Sequence, residues 1–320
     1  MKKKIVSMLL CAVLAMTLAG CGEAAAQDTY KIGVCQIVEH PALDAATNGF
    51  KDALVEKLGD KVTFDVQNAQ GEQPTAATIC NGFVSGGVDL ILANATTPLQ
   101  CAAAATTDIP ILGTSVTDYA TALEVPVENW TGASGRNISG TSDLAPIDEQ
   151  ENMILELFPD VKTVGLMYCS AEANSKYQIQ LIEAELGADG INYKEYAVAD
   201  SNEIQSVFST AVSECEVLYI PTDNTLANST ETIRNIVVPA GIPVVAGEEG
   251  ICSGCGVATL SIDYYDLGYA TGQMAAEILL NGADISTMQI QYAPNVTKEY
   301  NADICSQLGI SVPDDYVAIQ

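Results

Sequence analysis

The sequence predicts an α/β protein of two doubly wound lobes, each a largely parallel sheet with helices on both faces. Short apolar runs alternate with helical patterns from Tyr30 onward, and repeated strand, helix, strand units build a buried parallel sheet. The series pauses at the Gly/Ser/Thr-rich stretch 131–142 and then starts again, as expected where a chain crosses between domains. The 320 residues are enough for one large or two ordinary domains with a sizeable core.

In the first series Lys31 to Val38 reads as a strand. Pro41 then opens a helix, since proline suits the first helical position, and Leu43, Ala46, Phe50, Leu54 and Leu58 recur on one helical face. Val62 to Val66 reads as strand, Thr75 to Val84 as helix, Val88 to Ala93 as a buried strand and Ile109 to Leu112 as another. In the second series Val161 to Tyr168 is strand, Glu172 to Leu186 helix and Tyr193 to Ala199 strand. Asp200 with Glu203 forms a capping pattern for a helix to Val212. Val217 to Ile220, Pro243 to Ala246 and Val257 to Ile262 are further strands. A helix from Tyr264 to Leu280 turns Leu267, Ala270, Met274 and Ile278 to one face, and Asn281-Gly282 ends it.

The N-terminus has a separate purpose. Met1 and Lys2 to Lys4 precede an apolar stretch from Ile5 to Gly20, the layout of an export signal and shorter than the roughly 20 apolar residues a membrane span needs. Leu18-Ala19-Gly20-Cys21 resembles a bacterial lipobox, which implies cleavage before Cys21 and lipid on its sulfur; residues 21–29 then read as a tether. Lys2, Lys3 and Lys4 are three of the 13 basic residues and none of the 41 acids precedes Cys21, so cleavage moves the net charge from −28 to −31. Such a body repels nucleic acid and anionic lipid surfaces, and its acids are too scattered in an apolar background to indicate disorder. Eight cysteines remain, at 35, 80, 101, 169, 215, 252, 255 and 305. Several sit in apolar runs, where a free thiol behaves as a small hydrophobe, and their pairing stays open.

Two such lobes leave a cleft between the carboxyl ends of their strands, where open α/β sheets bind ligands. Polar clusters follow the strands: Gln36-Ile37-Val38-Glu39-His40-Pro41-Ala42-Leu43-Asp44, Asn94-Ala95-Thr96-Thr97, Ser139-Gly140-Thr141-Ser142-Asp143, Cys169-Ser170-Ala171-Glu172-Ala173-Asn174-Ser175, Pro221-Thr222-Asp223-Asn224, Gly247-Glu248-Glu249 and Asp263-Tyr264-Tyr265-Asp266-Leu267-Gly268. In order and over the whole mature chain, these clusters resemble the substrate-binding lipoproteins of ABC transporters of the tryptophan/tyrosine type, a branch of the type I periplasmic-binding fold. The resemblance implies two Rossmann-like lobes in a Venus-flytrap arrangement with a hinge of three crossovers. It places 30–142 and about 257–288 in the N-terminal lobe, and 143–256 and about 289–320 in the C-terminal lobe.

The expected ligand, a free amino acid and above all an aromatic one, suits these residue types. An α-carboxylate takes backbone N–H groups at a helix start, here Asn174-Ser175, with Thr141 and Ser142 as further donors. An α-ammonium takes a carboxylate, with Asp223 foremost and Asp143 and Glu172 behind it. Tyr168, Tyr177, Tyr264 and Tyr265 are available for an aromatic side-chain pocket. Gln36, His40, Asp44, Asn94, Ala95, Thr96, Asn224, Glu248 and Asp263 complete the candidate contacts. Asp44 and Asp263 stand equally well as helix caps. A sugar or nucleoside on the same scaffold is the alternative, as is a surface sensor or adhesin.

Catalysis finds little footing. His40 is the sole histidine, so a Ser-His-Asp or Cys-His mechanism would have to run through a residue that stands at a helix entrance. The sequence lacks a Gly-rich phosphate loop and a G-x-S-x-G motif. Cys252-Ser253-Gly254-Cys255 reads as a turn whose cysteines are an incidental pair or a local disulfide, since a zinc site needs three or four ligands and no second half-site is present. Trp130 reads as packed beside the crossing. No cofactor and no metal is expected. The expected protein is a lipid-anchored, monomeric, extracytoplasmic binding protein that serves a separate permease and ATPase.

Overall fold

The computed structural model describes residues 29–293 and 295–319; the export signal, Cys21 and most of the tether lie outside the described residues. Strand β1 (Tyr30–Gln36) leads into helix α1 (Pro41–Leu58), β2 (Val62–Asn68), α2 (Gln73–Gly86), β3 (Leu90–Asn94), α3 (Thr96–Ala105), β4 (Ile111–Thr114), the short α4 (Tyr119–Ala122) and β5 (Ile138–Ser142). The second lobe follows with α5 (Ile147–Leu157), β6 (Thr163–Cys169), α6 (Ala173–Ala188), β7 (Asn192–Val198), α7 (Ile204–Glu214), β8 (Val217–Ile220), α8 (Asn224–Ala227), α9 (Thr230–Ala240), β9 (Val244–Ala246), α10 (Glu249–Cys255) and β10 (Ala258–Ser261). The chain ends with α11 (Tyr264–Asn281), β11 (Gln291–Tyr292), β12 (Thr297–Tyr300), α12 (Ala302–Leu308) and β13 (Val317–Ala318).

Among the described residues these strands form two sheets, in the orders β11-β5-β4-β3-β1-β2 and β13-β12-β10-β9-β8-β6-β7. Every pair is parallel except β10 with β12. Central strands are apolar throughout because helices cover both faces: all of β3 and all of β8 are buried. The outer strands β2 and β7 are largely exposed and carry Asp65, Lys194 and Glu195, charges that discourage edge-to-edge pairing. The expected apolar face of α1 is buried in full, from Leu43 to Leu58. Leu267 and Met274 of α11 are buried, with Ala270 and Ile278 half-buried beside them. Expected element ends shift by about two residues at most, the usual latitude of helix and strand ends. Half-buried Trp130 packs against the first-lobe core.

The chain passes between the lobes after β5, after β10 and between β11 and β12. The expected return to the first lobe near residue 257 needs correction. β10 pairs with β9 and β12, so it belongs to the second sheet, and the return begins with α11 and ends with β11, which pairs with β5. An apolar strand carries no local mark of the sheet it will join. α11 instead lies along α1, so closely that a Cβ on Gly268 would stand 1.9 Å from the Ala46 carbonyl oxygen and one on Gly49 2.1 Å from that of Tyr265. Only glycine allows this backbone approach.

Cys252 and Cys255 lie on α10, not in a turn, and both are buried free thiols, as are the six other described cysteines. Burial pushes the thiols of Cys252 and Cys255 up, which keeps them protonated and poorly reactive.

Candidate functional site

The carboxyl ends of the two sheets face each other across a closed cleft. Helix α4 touches α6 at one end and α1 touches α10 at the other. Between these ends His40, at the start of α1, meets Asn224, at the start of α8, with 3.2 Å between Nε2 and Oδ1.

On the second-lobe wall the polar side chains hold one another. Glu172 precedes α6, yet its carboxylate reaches the start of α8. Its Oε1 accepts from the Thr225 amide and hydroxyl, both at 2.8 Å. Its Oε2 accepts from the Asn224 amide at 3.0 Å, the Asn224 side chain at 2.7 Å and the Asn174 side chain at 3.2 Å. A carboxylate on the amides of a first helical turn is favoured by charge and hydrogen bonding alike. Asp223 caps α8 through the Leu226 amide at 2.9 Å and takes the Cys169 amide at 2.6 Å. It is 1% exposed, and burial, with Glu172 adding its charge, raises its pKa to about 8 against the pull of those amides and of Ser175. Asn174 donates to Thr222 O at 3.0 Å as well as to Glu172 and Ser175. Glu248 caps α10 through the Gly250 and Ile251 amides; burial raises its pKa, and nearby His40 pulls the other way.

The expected α-carboxylate seat at Asn174-Ser175 and the expected ammonium partner Asp223 are therefore already engaged within the protein. A sequence places such groups after strands without showing which neighbours they hold. Thr141 and Ser142 are likewise occupied. The Thr141 hydroxyl bonds those of Thr114 and Thr271, and that of Ser142 donates to Thr117 O. Asp143 accepts from Thr117 at 3.0 Å and from Tyr264 at 3.1 Å, tying two of the chain crossings together. Burial raises its pKa to about 6. Tyr168 points away from the cleft to Glu195 on the outer strand β7, at 2.7 Å. Tyr265 bonds Asp52 on the exposed α1–α11 face. Asp263 caps α11 through the Asp266 amide, and Asp44 is exposed and accepts from Gln36 at 2.6 Å. Gln36 also accepts from Thr47.

The first-lobe wall differs. His40 Nδ1, Asn94 Oδ1, Thr96 Oγ1 and Ser115 Oγ are buried without a hydrogen-bond partner. Buried polar groups are ordinarily paired, so four such atoms gathered at or just beyond the ends of β1, β3 and β4 mark a surface completed by something else. Ala95 and Ser115 have φ of 96° and 54°, conformations that cost non-glycine residues energy and gather at ligand clamps. Ala95 leads into α3, whose first amides and Thr96 hydroxyl are donors suited to an anion. Ser115 and Thr117 join the expected set; β4 runs to Thr114, two residues past its apolar run, so its polar end lies further along the chain than the pattern suggests. Half-buried Tyr177 on α6 faces Asp118 at the start of α4, and Tyr264 is buried at the hinge. A cavity of about 380 Å³ opens on the hinge side next to the start of α1, lined in part by Pro41, Glu248, Asp263, Tyr264, Tyr265 and Glu299. Among the described residues no group of three or more His, Cys, Asp or Glu is placed to hold a metal ion, and no helix is long and apolar enough to cross a membrane.

Two doubly wound lobes, linked by three crossings and closed over unpartnered polar groups, define a two-lobed binding protein of the type I periplasmic class. The sequence profile of the ABC transporter substrate binding proteins matches residues 31–319, and the chain belongs to that family. It is 37% identical over 293 residues, 87% of this chain and 84% of the relative, to a tyrosine-binding protein of Clostridioides difficile (strain R20291). Its fold is similar to that of an ABC domain from Streptococcus pneumoniae in complex with L-Trp, with a TM-score of 0.84, 33% identity, and 89% and 96% of the two chains covered. The ligand-free, open structure of a substrate binding protein with adhesive properties from Clostridium difficile gives a TM-score of 0.68 at 37% identity, covering 91% of this chain and 99% of that one. The relative of higher identity superposes less well, which sets the present lobe arrangement nearer to the L-Trp complex than to the open form.

Proposed function

We propose that this substrate-binding protein is the extracytoplasmic receptor of an amino acid importer, tethered by lipid on Cys21, and that its ligand is a free aromatic amino acid, tyrosine or tryptophan. The reading rests on the four unpartnered polar atoms of the first-lobe wall, which sort into two poles. Thr96 and Ser115, with the first amides of α3, offer donors for an α-carboxylate. His40 and Asn94 offer acceptors for an α-ammonium. The aromatic character draws on the names of the two relatives that bind tyrosine and tryptophan, with Tyr177 and Tyr264 as candidate neighbours of the ligand ring. Lobe closure excludes water and strengthens these polar contacts, and the closed form is what a separate permease and ATPase would read. The protein acts as a monomer and needs no covalent chemistry.

Calorimetry on the purified mature chain tests the ligand class, with L-tyrosine, L-tryptophan, L-phenylalanine, ribose and adenosine as titrants. Aromatic amino acids should bind with Kd of about 1 μM or tighter, some −8 kcal/mol. Binding of ribose or adenosine with none of the amino acids would overturn the reading. The tether is tested by detergent partitioning: the native protein should enter the detergent phase and Cys21→Ala should not.

A further inference from the structure

We propose that His40 is the residue that recognises the ligand's ammonium group, and that a chain of hydrogen bonds from the opposite lobe sets its tautomer for that task. The inference deepens the amino acid reading above and rests on it.

Hydrogen-bond bookkeeping carries the argument. The Glu172 carboxylate only accepts, so the Asn224 side chain must turn its NH₂ toward Glu172 Oε2, at 2.7 Å. That leaves Asn224 Oδ1 facing His40 Nε2 at 3.2 Å. An amide oxygen only accepts as well, so Nε2 must carry a proton. A neutral imidazole has one ring proton, and Nδ1 is then a bare acceptor. It is buried on a residue 7% exposed and has no partner. His40 is at the N-cap position of α1 but its side chain makes no capping bond, so helix capping does not account for the ring's placement.

A second bare acceptor adjoins the same turn. Asn94 gives its NH₂ to Leu43 O at 2.8 Å and Thr47 Oγ1 at 2.9 Å, which leaves Oδ1 unpartnered in a residue 0% exposed. Two bare acceptors at one turn suit a cationic N–H donor, whereas a ligand carboxylate would be repelled. Because the bond that sets the tautomer joins the two lobes, the acceptor is prepared only when they close. Recognition of the amine and closure become one event.

His40 is the only histidine of the chain, so protein labelled with ¹⁵N-histidine and freed of any tag reports on this ring alone. At neutral pH with L-tyrosine bound, the ring should be protonated at Nε2 only. The Nδ1 signal should move on adding L-tyrosine but not 3-(4-hydroxyphenyl)propanoate, the same acid without its amine. His40→Gln keeps a donor near the Nε2 position and removes the acceptor, whereas His40→Asn keeps an acceptor near Nδ1. The Gln variant should bind L-tyrosine about 10- to 100-fold more weakly, a loss in the range of a hydrogen bond to a charged group, with its affinity for the propanoate unchanged. The Asn variant should retain more L-tyrosine affinity than the Gln variant. A doubly protonated or Nδ1-protonated ring in the complex, or equal losses for both acids in the Gln variant, overturns the assignment while leaving the amino acid reading standing. Failure of the wild-type protein to bind any aromatic amino acid overturns both.

Discussion

The two walls of the cleft are made from the same kind of element, a loop between a strand end and a helix start, yet they end in opposite chemical states. In the second lobe Glu172, Asp223, Asn224 and Glu248, and the NH₂ group of Asn174, are hydrogen-bonded within the wall or against His40. On the first-lobe wall four polar atoms are left over, whereas the unpartnered atoms of the second lobe, Gln150 Nε2, Glu151 Oε1, Thr259 Oγ1 and Glu299 Oε2, lie on α5, β10 and β12; Gln70, Ala95, Ser115 and Glu124, the non-glycine residues with positive φ among those described, all belong to the first lobe. The saturated wall is a preformed, rigid surface. The unsaturated wall stores strain and unmet hydrogen-bonding capacity that a ligand can relieve. Substitutions should therefore act on stability on one side and on affinity on the other.

The largest test of this contrast is Asp223→Ala. It strands the Cys169 and Leu226 amides in a buried site, at roughly 1–3 kcal/mol each, so urea unfolding should show a loss of about 4 kcal/mol at low pH that shrinks as pH rises towards about 8, because burial raises the Asp223 pKa to about 8. A variant of wild-type stability that no longer binds ligand would instead return Asp223 to the ligand. Next comes the hinge. Asp143 has its pKa raised from 3.8 to about 6, so the folded state holds this proton more tightly than the unfolded chain does. Its stabilising contribution is complete below the unfolded value and is lost as pH rises through about 6, and a shift of about two units corresponds to about 3 kcal/mol. Asp143→Asn should flatten the fall in stability between about pH 4 and pH 7 by up to that amount, read from denaturation midpoints across the range.

Smaller effects belong to the unsaturated wall. Thr96→Val removes a hydroxyl that has no partner in the protein, so thermal stability should hold or rise slightly while affinity for L-tyrosine falls about tenfold by calorimetry. A matching fall in stability would show that the hydroxyl serves the fold instead. Ala95→Gly should relieve the φ of 96° and raise stability by about 1 kcal/mol, seen as a higher unfolding midpoint with weaker ligand binding.

The alternation of strands and helices and the apolar spacing of α1 were legible because they repeat locally, and so was the rule that polar residues of interest follow strands. The site itself was legible only as a set of addresses. That Glu172 would reach the start of α8 rather than serve α6, or that Tyr168 would turn to Glu195, depends on neighbours 27 to 53 residues away along the chain. The sheet that β10 joins is likewise a long-range outcome. Backbone strain at Ala95 has no compositional signature, since alanine carries no preference for a positive φ; it emerges only where surrounding structure dictates it. Asn94, Thr96 and His40 were identifiable by position, but which of their atoms would be left without a partner depends on packing.

The eight described thiols, buried and unpaired, have a practical meaning for a chain read as exported. No covalent cross-link among them contributes to cohesion, so maturation outside the cell calls for no oxidising catalyst and tolerates a strongly reducing surroundings. A protein of this design can be produced, stored and assayed with thiol reductant at no cost to its unfolding midpoint.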